Sequence, residues 1–229
     1  MINVDKNTFL DINLKAINKN YKIIKQIVDR KCIIAATVKA NAYGLGADQV
    51  VTSLMKNGCK YFFVATTNEA IHLRKLNKKI FIFILNGLVT KELKNIRKFN
   101  LIPVINNLAQ LKKIEKYQKE NNCFLNIAIH FDTGMSRLGL DQNETENLIK
   151  NKALLIKKSK LRLIMSHLSC ADDKKSKLNK IQLNKFNFIK SHFPNCLCSL
   201  SNSAGILLGK KYHFDMVRPG ISLYGGQCQ

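Results

Sequence analysis

The segment TVKANAYGLGA, residues 37–47, places a lysine at the point where an apolar run ends. Lys39 follows the run IIAATV and opens a loop of small residues that also holds Tyr43 and two glycines. An ammonium group at the end of a buried strand is poorly solvated, which favours the neutral amine, the form that attacks aldehydes. The placement of Lys39 therefore indicates either Schiff-base chemistry or an unusual ion pair.

A second set of residues offers hydrogen-bond donors for a phosphate. Ser203, in SNSAG, contributes a hydroxyl, and Gly220 with Ile221, in RPGIS, contribute backbone N–H groups. Barrels of alternating strands and helices often bind a phosphate after strands seven and eight. A phosphate there and an amine at Lys39 indicate pyridoxal phosphate, held through its aldehyde. A phosphosugar enzyme that uses the lysine as a base or nucleophile is the alternative from these residues alone.

Eight short β-rich runs, separated by lysine-rich segments of helical character, are the elements that must position these groups. This alternation is typical of parallel βα units. It predicts a closed α/β structure, a (β/α)8 TIM-type barrel with the candidate groups at the carboxyl ends of its strands. An open doubly wound sheet is the alternative. The runs are 33–40, 61–66, 80–85, 101–106, 124–132, 161–168, 196–203 and 214–225.

Apolar residues between the runs recur at helical spacing, as in 47–54 and 108–114. Two features do not fit a complete barrel. The segment TFLDINL, 8–14, is strand-like but precedes a helical run through Tyr21 and Val28, so it needs a sheet outside the barrel. The chain also stops at GGQCQ, directly after the eighth run. We therefore expect a longer parent protein.

Composition and charge argue against several classes of protein. The formal net charge is +23, but lysines scattered over presumed helix surfaces supply most of it, without the Arg and aromatic cluster of a nucleic-acid site. No apolar stretch approaches the roughly 18 residues of a membrane span, and the first residues lack the apolar core of a signal peptide. Seven cysteines without a CxxC pair indicate reduced thiols and no metal. We expect a cytoplasmic protein that binds neither nucleic acid nor membrane.

Six motifs, taken in order, resemble the signatures of alanine racemases: TVKANAYGLGA, FFVATTNEAIHLRK, DTGMSRLG, SHLSCADD, SNSAGIL and MVRPGISLYG. The resemblance covers nearly the whole chain. It implies a barrel of the fold-type III pyridoxal-phosphate enzymes, with residues 1–229 as the N-terminal cofactor-binding domain, cut before a C-terminal β-domain. It also implies interconversion of L- and D-alanine, which supplies D-alanine for peptidoglycan, and a homodimer in the full-length protein.

The resemblance assigns a role to individual residues. Lys39 would hold the cofactor aldehyde and serve as the base for the α-proton of the D enantiomer. Tyr43 would contact the phosphate, and Arg137 would lie near the phenolic oxygen of the cofactor and help to hold the substrate. The other implied cofactor-binding residues are His167, Asn202, Ser203, Arg218, Gly220 and Ile221.

Arg218 matches the family arginine at the pyridine nitrogen of the cofactor. Because a guanidinium only donates hydrogen bonds, that nitrogen would stay unprotonated. A neutral pyridine is a weaker electron sink, which disfavours transamination and leaves reprotonation at Cα as the main outcome. His167 would orient Arg218.

Two residues depart from the family pattern. His130 stands where many members carry a lysine whose carbamate positions the motif arginine, so another group or a bound anion must orient Arg137. Ser136 stands where the family often has glycine, a change that we expect to alter the geometry of the loop.

The second catalytic group is also missing. The family takes the acid/base for the opposite substrate face from a tyrosine of the partner subunit's β-domain, so we expect this chain alone to bind the cofactor weakly and to racemise poorly. The main alternative is a single-domain pyridoxal-phosphate-binding protein of cofactor homeostasis. Related decarboxylases, and racemases acting on serine or other amino acids, remain further alternatives.

Overall fold

A computed structural model of the protein describes residues 9–228, and within them eight parallel strands form one barrel. Each strand lies where an apolar run predicts it, although most are shorter than the runs. The strands are β1 (Ile33–Thr37), β2 (Tyr61–Val64), β3 (Phe81–Ile84), β4 (Ile102–Ile105), β5 (Leu125–His130), β6 (Ser159–Met165), β7 (Leu197–Ser199) and β8 (Met216–Val217).

The barrel closes between its two last strands. Neighbouring strands pair in the order β7-β6-β5-β4-β3-β2-β1-β8, all in parallel. At the remaining seam, the Asp215 amide donates to the Cys198 carbonyl at 3.1 Å, and the Arg218 amide donates to the Ser201 carbonyl at 3.0 Å. The Ser199 hydroxyl donates across the same seam to the Met216 carbonyl at 2.7 Å. The predicted closed barrel is confirmed, and the open sheet is wrong.

Helices cover the outside of the barrel, as the spacing of apolar residues between the runs predicts. None of those in the described part of the chain is long and apolar enough to cross a membrane. The helices are α1 (Leu14–Ile27), α2 (Lys39–Tyr43), α3 (Ala47–Lys56), α4 (Thr67–Leu76), α5 (Leu93–Lys98), α6 (Leu108–Glu120), α7 (Gln142–Leu155), α8 (Lys177–Ser191) and α9 (Ser203–Leu207), with 3-10 helices at Thr90–Glu92, Lys210–Tyr212 and Ile221–Tyr224.

The inside of the barrel is a packed core. Phe63 and Phe83 stack with ring centroids 4.6 Å apart, and small residues such as Ala35 and Ala128 leave room for them. A second, larger core lies between the strands and the helices. Because side chains fill the barrel interior, ligands have access only at its ends.

The leading segment is not a strand over the residues that the structure describes. Thr8 lies outside them, and residues 9–13 carry no strand pairing. The Asn13 side chain caps α1 by accepting a hydrogen bond from the Ala16 amide at 3.0 Å, which commits the chain to a helix. Phe9 and Leu10 are 88% and 70% exposed. Residues 9–13 therefore form no strand within this chain, Leu14 already belongs to α1, and pairing with a sheet outside the barrel stays a prediction.

Candidate active site at the barrel mouth

A cavity of about 570 Å³ opens at the carboxyl ends of the strands. The structure brings every site residue predicted from the sequence to the wall of this one cavity. They are Lys39, Tyr43, Arg137, His167, Asn202, Ser203, Arg218, Gly220 and Ile221, and His130 joins them.

The segment after Lys39 is a left-handed helical turn, where the sequence predicts only a loop. Ala40, Asn41, Ala42 and Tyr43 have φ between 52° and 58°. For residues other than glycine this conformation costs roughly 1–2 kcal/mol each, so tertiary contacts must hold it. The Asn41 side chain accepts a hydrogen bond from the Ala47 amide at 2.8 Å, and the Ala42 amide donates to the Val38 carbonyl at 2.9 Å.

This turn places Lys39 and Tyr43 together on the cavity wall. The Lys39 Nζ lies 6.0 Å from the centroid of the Tyr43 ring. The Tyr43 ring also packs against Tyr224, with centroids 4.9 Å apart, and burial raises the pKa of its hydroxyl. Tyr43 is therefore a neutral hydrogen-bonding group beside the amine.

Backbone amides converge where the sequence predicts a phosphate cradle. The amides of Gly220 and Ser222 donate to the Ser203 hydroxyl at 2.9 and 3.2 Å, and the Ser222 hydroxyl lies 3.1 Å from it. The Ile221 amide is the first of the 3-10 helix Ile221–Tyr224, so that helix provides no acceptor for it. A Cβ at Gly220 would lie only 2.5 Å from the Tyr43 hydroxyl oxygen. Glycine is thus required for the close approach of Tyr43 to these amides.

Arg218 is a buried cation whose donors are almost all used. Its Nε donates to the Ser199 hydroxyl at 2.9 Å, and its Nη2 donates to the carbonyls of Ser166 and Leu200. Its Nη1 lies 3.3 Å from His167 Nδ1. Burial and the neighbouring Arg137 lower the pKa of Arg218 to about 9, which leaves the guanidinium charged at neutral pH.

Four of the five guanidinium N–H groups are therefore occupied. Among the described residues, one N–H of Arg218 Nη1 has no partner, and Arg218 lines the cavity. The arrangement offers a single fixed donor to an acceptor atom inside the cavity. Such an acceptor has to be unprotonated, because the guanidinium provides no lone pair.

His167 is neutral and holds Arg218. Burial, followed by the charge of Arg218, lowers the pKa of His167 well below its ordinary value. Since Arg218 can only donate, its contact with the ring requires His167 Nδ1 to accept. Asn202 lies beside this ring, with its Nδ2 3.4 Å from Nε2, and its Oδ1 caps α9 by accepting from the Gly205 amide at 2.8 Å. The predicted contact between His167 and Arg218 is present.

His130 is also neutral, and its tautomer follows from Asn106. The Asn106 amide nitrogen donates to the carbonyls of Leu85 and Val104 at 3.0 and 3.2 Å, so its oxygen faces His130 Nδ1 at 3.1 Å. Nδ1 therefore carries the proton. Burial, then the charge of Arg218, lowers the pKa of His130 to about 3. A neutral ring thus stands where the family resemblance implies an anionic carbamate.

The loop that carries Arg137 is organised by Asp132. The Asp132 carboxylate accepts hydrogen bonds from the amides of Gly134 at 2.9 Å, Met135 at 2.8 Å and Ser136 at 3.0 Å. Ser136 has φ +56°, the left-handed conformation that glycine adopts without strain, which explains why a glycine suits this position. Arg137 is exposed at the cavity rim, and among the described residues its guanidinium has no hydrogen-bond partner.

Two residues of this site are not among those predicted from the sequence. Ser222 lies two residues after Gly220, and a hydroxyl residue at the start of a helix is a signal for such a role. Asn106 is the polar residue that ends the run LIPVIN, at the mouth end of β4. A polar residue directly after a buried strand of a barrel was the signal available in the sequence.

Comparisons with known proteins agree with this geometry. Residues 12–228 match the family described as "Alanine racemase, N-terminal domain". The alanine racemase of Rickettsia prowazekii is 45% identical over 217 residues, which are 94% of this chain and 53% of that protein. The alanine racemase of Rickettsia bellii is 47% identical over 197 residues, 86% of this chain and 48% of the relative.

Solved structures show the same barrel. The alanine racemase of Bartonella henselae, with covalently bound pyridoxal phosphate, superposes with a TM-score of 0.89 at 38% identity, over 93% of this chain and 62% of that one. The biosynthetic alanine racemase of Pseudomonas aeruginosa superposes with a TM-score of 0.83 at 32% identity, over 93% and 58%. The chain spans about half the length of the first curated relatives that it matches.

Proposed function

We propose that this chain, which belongs to the alanine racemase N-terminal domain family, binds pyridoxal phosphate and is the cofactor-binding barrel of an enzyme that interconverts L- and D-alanine. The observation that carries the proposal is the pairing of two features across one cavity. Lys39 offers an amine, and Ser203 with the Ile221 amide, which has no acceptor within its own helix, offers an anion site. When bound, pyridoxal phosphate supplies a sink for the electron pair left at Cα.

The residues of the cavity fit this cofactor. A Cβ at Gly220 would clash with the Tyr43 hydroxyl, so the glycine lets Tyr43 lie beside these amides, and the Ile221 amide has no acceptor within its own helix. Tyr43 and Ile221 are the remaining phosphate contacts in this proposal. The unpartnered N–H of Arg218 suits the unprotonated ring nitrogen, and the neutral His167 keeps that arginine in place. Asn202 lies next to His167 on the same wall.

Three chemical tasks fall to residues of this chain. Lys39 takes the α-proton from the D enantiomer, and Arg137 binds the substrate at the rim, where its guanidinium is available. Arg218 donates to the ring nitrogen and keeps it unprotonated, which restricts the electron sink and favours return of the proton to Cα over transamination. The chemistry proposed is therefore racemisation rather than amino transfer.

We place the group for the opposite substrate face outside this chain. The curated relatives are about twice as long as the part that matches, and the proposed homodimer would provide that group from a β-domain. The seven free thiols suit a reducing compartment, and we propose a cytoplasmic enzyme that supplies D-alanine for cell-wall peptidoglycan. On this account the chain alone binds the cofactor but racemises alanine poorly.

A titration with pyridoxal phosphate tests the proposal. We expect a saturable change in the cofactor's absorbance spectrum with the wild-type chain and none with Lys39→Ala. Lys56→Ala, at an exposed lysine of α3, is the matched control and should behave as wild type. Equal binding by both variants would contradict the assignment of Lys39. Efficient racemisation of alanine by the chain alone would contradict the need for a second group.

A further inference from the structure

The carboxylate of Glu69 joins the start of α4 to the residue that follows Lys39. Its Oε2 accepts hydrogen bonds from the amides of Ala65 at 2.7 Å and Thr66 at 3.1 Å. Its Oε1 accepts one from the amide of Ala40 at 2.7 Å. One carboxylate therefore holds three backbone N–H groups from two separate βα units.

Half of this arrangement is an ordinary helix cap. Thr66 is the N-cap of α4, and its hydroxyl accepts from the Glu69 amide at 3.3 Å while Glu69 accepts from the Thr66 amide. A capping box needs only that exchange. The bond to Ala40 lies outside it, because Ala40 is 29 residues away along the chain.

The bond to Ala40 is placed where the left-handed turn needs support. Ala40 is the first residue after Lys39 with positive φ, and an amide at the start of a helical turn has no acceptor within the turn. A hydrogen bond to a charged carboxylate is stronger than one between neutral groups. Glu69 therefore fixes the peptide unit between Lys39 and Ala40 from the neighbouring βα unit.

We propose that Glu69 is a positioning residue for Lys39. By holding the Ala40 amide it stabilises the left-handed turn and directs the Lys39 side chain into the cavity. The inference rests on the proposed role of Lys39 as the cofactor lysine, but the geometry that it concerns exists before any cofactor binds. Removal of the carboxylate should change the surroundings of the Lys39 amine, in addition to any loss of stability of α4.

The test compares Glu69→Ala and Glu69→Gln with Thr66→Ala. The Thr66 variant removes the other half of the capping box and leaves the bond to Ala40 intact, so it controls for the loss of a helix cap. Two readouts use the protein without cofactor. They are amide hydrogen exchange at residues 40–45, followed in a peptide that begins at or before Thr37 so that it keeps the Ala40 amide, and the rate at which N-hydroxysuccinimidyl acetate acetylates Lys39, measured by peptide mass spectrometry.

We expect Glu69→Ala to speed exchange in 40–45 by about tenfold, which corresponds to the loss of one charge-assisted hydrogen bond. The acetylation rate of Lys39 should change by at least about threefold, as the amine moves to different surroundings. Glu69→Gln, which keeps one acceptor oxygen, should lie between Glu69→Ala and wild type. Thr66→Ala should lower the unfolding midpoint yet leave both readouts within about twofold of wild type.

Equal changes in Glu69→Ala and Thr66→Ala, or no change in either, would overturn the proposal. If Glu69→Ala does not fold, Glu69→Gln carries the comparison with Thr66→Ala. A titration with pyridoxal phosphate distinguishes a failure of the proposed role of Glu69 from a failure of the proposed function. Wild-type protein that does not bind the cofactor contradicts the function, whereas exchange and acetylation still decide the role of Glu69.

Discussion

Arg218 donates more hydrogen bonds than any other predicted residue of the site. It is 5% exposed, and it donates to one hydroxyl and two carbonyls besides His167. An ammonium has three donors and no planar fork, so it cannot satisfy the same acceptors. The environment of Arg218 is therefore specific to a guanidinium.

The Arg218→Lys variant tests this at the residue scale. We expect it to lower the free energy of unfolding by about 2–3 kcal/mol, because at least one buried acceptor loses its donor. Pyridoxal phosphate should bind at least about tenfold more weakly, since the donor for the ring nitrogen is lost. Urea unfolding and an absorbance titration measure the two effects. Unchanged cofactor affinity would contradict the proposed contact with the ring.

The two neutral histidines of the site, His130 and His167, predict a pH dependence. The folded-state pKa of His130 is lowered to about 3 and that of His167 also lies well below 6.5, so the unfolded chain binds more protons than the folded one as the pH falls below 6.5. Stability should therefore fall between pH 7 and pH 5, at up to about 1.4 kcal/mol per pH unit for each histidine. Urea unfolding at several pH values measures the slope.

The control for this slope is His130→Gln, which removes one of the two titrating groups. We expect the variant to lose roughly half of the slope that the histidines cause. Asp132 adds to acid lability only at lower pH. Its burial opposes ionisation, but hydrogen bonds from three loop amides bring its pKa below the usual range. A free energy of unfolding that does not change from pH 7 to pH 5 would contradict the neutral state of both rings.

At the scale of elements, the Arg137 loop depends on a glycine that closes it. Gly139 has φ +108°, and a Cβ there would lie 2.8 Å from the Asp132 nitrogen and 2.9 Å from the Phe131 carbonyl carbon. Both are backbone atoms and cannot move aside as a side chain would. A side chain at this position would therefore require the backbone after β5 to shift.

We expect Gly139→Ala to lower the free energy of unfolding by about 3 kcal/mol, from a strained φ together with a backbone clash. Gly209→Ala is the matched control, because Gly209 has a similar φ of +104° but nothing within 4 Å of its added Cβ. That variant should lose about 1–2 kcal/mol, from backbone strain alone. Thermal or urea unfolding compares them, and equal losses would show that the clash in the Arg137 loop does not exist.

The backbone conformation of the left-handed turn is not predicted by the local sequence. The residues ANAY contain no glycine, so propensity argues against positive φ at each of them. The turn is held by Glu69, which is 29 residues from Ala40 along the chain, and by the nearby Ala47 amide, and residue propensity identifies neither contact. The tautomer of His130 likewise depends on Asn106, a residue of another strand unit. These contacts can be identified only from the structure.

At the scale of the molecule, the sequence predicts the architecture well. Eight apolar runs and the helical spacing between them determine the barrel, and parallel strands place all their carboxyl ends, with the predicted residues, at one mouth. The leading segment is the exception, since Phe9 and Leu10 have a strand-like pattern but the described residues offer them no strand pairing. A pattern of apolar residues predicts a strand only where a partner strand exists.

The whole chain carries a formal net charge of +23, and its described residues hold few close ion pairs. Repulsion among exposed lysines destabilises the compact state and is screened by salt. We expect the thermal unfolding midpoint to rise between about 20 and 300 mM sodium chloride, as the Debye length falls below the spacing of the lysines. A midpoint that falls with added salt would contradict a repulsive surface.

In the proposed function, the Lys39 amine holds the aldehyde of pyridoxal phosphate inside the barrel mouth. Borohydride reduction of the chain mixed with the cofactor, followed by proteolysis and peptide mass mapping, locates the lysine that forms this bond. We expect one phosphopyridoxyl group per chain, on the peptide that contains Lys39, despite the many lysines on the surface. A label spread over surface lysines, or one absent from Lys39, would contradict it.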